Sequence, residues 1–112
     1  MWIIISQSFL KWFTPKNIAG ITIFPFIFIK SKGLANDQVF VNHERIHIHQ
    51  QLELFILFFY LWYSIEYFIR LIQYRNANLA YKNISFEREA YANEKNQQYI
   101  LDRKIWAFIK YL

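Results

Sequence analysis

Apolar positions follow two rhythms along this chain, and in one long stretch almost no rhythm at all. Between residues 1 and 13, Trp2, Ile5, Phe9, Trp12 and Phe13 fall near helical spacing, with Gln7, Ser8 and Lys11 between them. That pattern predicts an aromatic amphipathic segment. Pro15 and Gly20 then punctuate a turn, and Ile21 to Ile29 is rich in Ile and Phe and reads as strand. Pro25 stands in its middle. Proline cannot donate to a ladder, so this stretch becomes an edge strand or two short pieces, a hairpin near residues 21–30. An edge strand leaves free backbone groups with which an extended substrate could pair.

Ser31 to Asn36 reads as the clearest loop, with Gly33 at its centre, and Asp37 or Asn42 is placed to cap the next helix. Neither glycine nor proline occurs after Gly33, so Gln38 to about Tyr74 is free to be helical. One straight helix of that length would run ~55 Å. A break is therefore expected soon after Gln51, dividing a helix over 38–51 from an apolar helix over 52–74. Asn76 to Ser85 is polar enough for a loop. Ser85 would cap a helix over 85–96 that carries Glu87 and Glu89 in its first turn, where the helix dipole favours acids. Ile105, Ile109 and Leu112 recur at helical spacing and predict a packing helix over 98–112. The expected fold class is mainly α with a short β hairpin or edge strand (α+β), in one small domain over 1–112.

Composition changes this picture in two ways. Hydrophobic residues make up 55% and aromatics 21% of 112 residues, heavy for a chain whose surface outweighs its interior, so some rings are expected to face a membrane or a partner. The formal charge of +5 is spread along the chain, which favours an anionic membrane surface over a nucleic-acid stripe. No nucleic-acid partner is expected, and the oligomeric state is left open. The start of the chain lacks the basic lead and small-residue cleavage site of a secretory signal. The apolar run from Leu54 to Ile65, bracketed by Glu53, Glu66 and Arg70, falls short of the ~20 residues a spanning helix needs, so a buried or interfacial helix is expected. These features point to a membrane-associated or cytoplasmic location. Glu66 and Arg70, four apart, read as an ordinary helical ion pair.

Candidate chemistry lies in His43-Glu44-Arg45-Ile46-His47, which spells HExxH. On a helix, histidines four apart share a face, so two neutral imidazoles can converge on one metal while Glu44 reaches a metal-bound water without being a ligand. With no cysteine in the chain, a transition-metal site must use His and carboxylate. His43, His47, Gln50 and Leu54 share one helical face, Glu44 and Gln51 lie on its shoulder, and His49 points elsewhere.

Together with Phe86-Glu87-Arg88-Glu89-Ala90-Tyr91, the HExxH stretch resembles the gluzincin group of zinc metallopeptidases, in which the third ligand is a Glu on a downstream helix followed three residues later by a small residue. The resemblance implies a minimal gluzincin-like helical domain, a Zn2+ cofactor, and Glu87 as third ligand with Ala90 letting the helices approach; Glu89 is the alternative ligand. Tyr91 stands where that pattern places an acidic or amide residue that orients a ligand histidine. His47-Ile48-His49-Gln50-Gln51 is similar to the HExxHxxQQ form of short bacterial gluzincin-like proteins, which places Gln50 and Gln51 beside the site. The apolar Leu52 to Ile72 segment resembles the membrane-embedded gluzincins in composition only.

On this reading the chain hydrolyses peptide bonds in a peptide or protein substrate near a membrane surface, with Glu44 as catalytic base and His43, His47 and Glu87 holding zinc. Tyr81, Tyr91 and Arg88 are the candidate oxyanion donors. The alternative is a non-catalytic membrane- or partner-binding helical module with a structural or vestigial metal site.

Overall fold

A computed structural model describes residues 2–5, 20–30 and 32–112. Three short strands form one sheet in the order β1-β3-β2: β1 (Trp2–Ile5), β2 (Gly20–Ile23) and β3 (Phe26–Ile29). Pro25 sits in the turn between β2 and β3, where its missing N–H costs no ladder bond, and the hairpin pairs Thr22 with Ile27 and Ile23 with Phe26. β1 runs parallel to β3, Ile3 opposite Ile27. The other elements among the described residues are helical: α1 (Lys32–Ala35), α2 (Gln38–Glu53), α3 (Leu57–Tyr74), α4 (Ala77–Lys82), α5 (Ser85–Asn93), α6 (Tyr99–Asp102) and a short 3-10 helix over Ala107–Tyr111. The chain is α+β and mainly helical, as its patterning predicts.

Asp37 starts α2, its carboxylate accepting the N–H groups of Val39 and Phe40. The helix ends at the expected break. Phe55 (φ 56°) and Ile56 (φ 61°) both adopt left-handed backbone, and α2 and α3 meet at 113°. Ile27 and Ile29 of the sheet pack on Ile48 of α2, while Phe59, Ile84, Phe86 and Phe108 form a second core joining α3, α5 and the C-terminal turn. Gly20 makes the first of these contacts possible. A Cβ there would lie 2.7 Å from the Phe40 ring and 2.8 Å from the Phe28 carbonyl, so only glycine brings β2 this close to α2.

Several sequence expectations fail for identifiable reasons. Residues 2–5 are strand rather than amphipathic helix, because the β-branched run Ile3-Ile4-Ile5 finds a free edge of β3; the rest of that segment lies outside the described residues. The expected loop over Ser31 to Asn36 contains the single helical turn α1, in which partly buried Leu34 and Ala35 pack on the Ile27–Ile29 core. Asn76 is a cap rather than a loop residue, since its side chain accepts the N–H of Leu79 and starts α4 inside the stretch expected to be loop. Ile84, not Ser85, occupies the cap position of α5. The helix over 98–112 is broken: Arg103 turns extended to reach buried Glu89 and partly buried Glu53, leaving one turn before it and the 3-10 helix after it.

Candidate metal centre

α2 presents His43 and His47 one turn apart, and α5 brings Glu87 against both. His43 Nε2 and His47 Nε2 are 3.2 Å apart, and each lies 3.0 Å from Glu87 Oε1. All three side chains are buried. This triangle is slightly tighter than the ~3.3 Å edge of a tetrahedral zinc site with bonds of ~2.0–2.1 Å, so a small shift would seat the ion.

The far side of each ligand is tied down. His43 donates its Nδ1–H to Glu94 Oε2 at 2.7 Å, because a carboxylate can only accept. Gln50 gives its amide nitrogen to the Phe86 carbonyl (3.1 Å) and Glu89 Oε1 (2.9 Å), so its oxygen faces His47 and takes the Nδ1–H at 2.7 Å. Tyr63 donates to Glu87 Oε2 at 2.8 Å, leaving Oε1 for the cluster. Both rings thus turn Nε2 toward the same Glu87 oxygen. Three such atoms converging in a buried space need a proton or a metal cation among them.

The electrostatics carry the same signature. Burial alone would lower the pKa of His47, yet the Glu87 carboxylate beside it prevails and raises it to about 9. Burial alone would likewise raise Glu87, but the two histidines hold it far below the usual carboxylate range. Such mutual perturbation occurs at functional sites and in buried ion pairs alike.

Glu44 is buried on the shoulder of the same helix. Thr22 of β2 donates its hydroxyl to Glu44 Oε2, and no described residue donates to Oε1. Gln51 and Tyr60 brace that strand. Gln51 accepts the Phe24 N–H (2.7 Å) and donates to the Thr22 carbonyl (2.7 Å), which also accepts from Tyr60 Oη (2.6 Å). The Thr22 carbonyl of β2 and the N–H of Phe24 just beyond it are therefore occupied, so at these two groups the backbone expected to be free for an extended substrate is already bonded.

Other predicted residues separate cleanly. Glu89 is fully buried but points away from the triangle, bonded to Arg103, Tyr99 and Gln50, so it anchors Gln50 and is not the third member of the cluster. Tyr91 packs its ring on His43, with centroids 4.5 Å apart, instead of bonding to it, and its hydroxyl lies 3.4 Å from that of Tyr81. Burial raises both phenols, Tyr81 very strongly, with Glu87 adding to each, so both stay protonated donors near the cluster. Arg88 turns instead to Asn83 and the Tyr111 carbonyl. His49 lies off the cluster, next to Arg103 and Glu53. Sequence reasoning missed Glu94, Tyr63 and Thr22. Glu94 had a readable signal, since it lies seven residues after Glu87 and so two turns along the same face; the other two depend on tertiary placement alone.

No protein-family model, curated protein or solved structure matches the chain.

Proposed function

We propose that the chain is a small zinc-dependent peptidase of the gluzincin kind, with His43, His47 and Glu87 as the ligand set and Glu44 as general base. One observation carries the proposal: two Nε2 atoms and a carboxylate oxygen face one another at 3.0–3.2 Å, while both Nδ1 atoms are held outward by Gln50 and Glu94. The donor set, two imidazoles and a carboxylate with no thiolate, is that of catalytic zinc sites with an open fourth position. Bound there, zinc would acidify a water to near neutral pH and polarise a substrate carbonyl.

The chain's own groups supply the remainder. Thr22 fixes one oxygen of Glu44, so the other is available to take the proton of the attacking water and return it to the leaving amine. Gln50, Glu94 and Tyr63 keep the three ligands in register, and the protonated phenols of Tyr81 and Tyr91 remain the candidate oxyanion donors.

A second reading draws on the occupied β2 edge. With Gln51 bonded to the Thr22 carbonyl and the Phe24 N–H, the same triangle would serve as a structural metal site in a non-catalytic module. One pair of variants separates the two. His47→Ala should lose the single equivalent of zinc, and Glu44→Gln should keep zinc while losing hydrolysis of a peptide library. Equal hydrolysis by wild type and Glu44→Gln would leave only the structural reading, and absence of zinc from the wild-type chain would remove both.

A further inference from the structure

Helix α3 is apolar on both faces. Phe59, Tyr63 and Glu66 turn inward at spacings of four and three, toward the second core and α5. Phe58, Leu61, Ile65, Phe68 and Ile72 repeat at three and four on the opposite side, each between 54% and 78% exposed. A helix apolar all round belongs inside a large protein or against lipid, and a chain of 112 residues has no second layer of described structure to cover it. The exposed surface continues past the helix. Phe108 seats its ring 5.1 Å from that of Trp62, and the Trp106 N–H bonds Glu53 next to exposed Leu52, so Ile105, Trp106 and Ile109 extend the patch.

Charge decides the occupant. The only acid on α3 is Glu66, which is buried, and the patch is flanked by exposed Arg75, Lys104 and Lys110, with Asp102 as the one exposed acid beside Lys104. A second copy would bring another net charge of +5 and the same three cations to the rim. An anionic lipid surface offers both apolar depth and opposite charge. No single described helix is long and apolar enough to cross a membrane, and the inner stripe of α3 is already packed on protein.

We propose that the outer stripe of α3, with the adjoining Trp106 edge, is the surface on which the chain lies flat in the interface of an anionic bilayer. The inference stands apart from the metal reading, because no residue of the patch touches the triangle. It also sets the candidate centre one helix away from the lipid, since α3 turns Tyr63 toward Glu87 on its other side.

Vesicle co-sedimentation tests it, using the full chain with phosphatidylcholine vesicles and with vesicles containing phosphatidylglycerol. Partition should favour the anionic vesicles by about tenfold or more and weaken with salt. Leu61→Glu/Phe68→Glu should abolish partition while circular dichroism stays unchanged; both side chains are exposed, so the fold does not depend on them. Arg75→Ala/Lys104→Ala/Lys110→Ala should lose only the anionic preference. A chelator should leave partition intact, which keeps this result separable from the fate of the zinc proposal. Failure to partition into either vesicle, or undiminished partition of Leu61→Glu/Phe68→Glu, overturns the inference. So does a dimer in solution that the same double variant dissolves, without lipid binding by the wild type.

Discussion

Glu94 accepts the Nδ1–H of His43 from the end of α5, and Asn42 holds that end by donating to the carbonyls of Asn93, Glu94 and Asn96. A ligand histidine loses both orientation and basicity when such a partner is removed, so Glu94→Gln is expected to weaken zinc binding about 10- to 100-fold. Competition with a chromophoric chelator measures this directly. Tyr91→Phe should leave zinc affinity unchanged, because its hydroxyl touches Tyr81 and not the ligand. His43, Glu44 and His47 were legible because a helix turns four-residue spacing into proximity. Glu87 was legible only through resemblance to a known pattern, and Glu94 went unread because that pattern places the orienting group at Tyr91. Thr22 could not be found from sequence, since its contact with Glu44 exists only once Gly20 has let β2 settle against α2.

At the scale of elements, the start of α5 is held by a residue of α3. Glu66 accepts both the backbone N–H and the hydroxyl of Ser85, the latter at 2.6 Å, and takes a further bond from Trp62. Its contact with Arg70 is longer, 3.6 Å. The i,i+4 pair expected from sequence therefore exists but is the lesser role. Glu66→Ala would leave buried donors unsatisfied at the head of the helix that carries Glu87, at a cost of about 1–3 kcal/mol each. Arg70→Ala should cost less than about 1 kcal/mol. Urea midpoints of the two variants distinguish the roles, and similar values would return Glu66 to a simple ion pair. Local signals were reliable where the backbone itself carried them: the cap at Asp37, the break after Gln51, the turn at Pro25. They failed where a distant side chain set the outcome, as when Arg103 interrupts the C-terminal helix to reach Glu53 and Glu89.

Over the whole molecule, that buried network joins the C-terminal stretch to α2 and α5. Burial alone would raise the Glu89 carboxyl, but hydrogen bonds from Arg103, Tyr99 and Gln50 prevail and hold it below its ordinary 4.5. A depressed folded-state pKa contributes stability that is fully present above about 4.5 and is lost as pH falls through the folded value. Thermal unfolding should accordingly show wild type more stable than Glu89→Gln near pH ~7, with the gap narrowing as pH falls below about 4.5. A constant gap across that range would exclude Glu89 as a source of acid sensitivity. The broad class, α+β with an apolar surplus, followed from composition and spacing because those are sums over many residues. Which face of α3 stayed exposed did not, since both of its stripes are apolar and only the fold chooses between them.

The corner between α2 and α3 sets backbone strain against the alignment of the candidate centre. A β-branched residue at φ 61° is strained, and Ile56→Gly would relax the backbone there while also loosening the 113° angle that places Tyr60 on the Thr22 carbonyl and Tyr63 on Glu87. The expected signature is a trade-off: a melting temperature equal to or above that of the wild type, together with weaker zinc retention. If so, selection has kept a locally unfavourable bend for the sake of what it aligns, and directed evolution for heat resistance alone would be expected to erode the centre from this corner first.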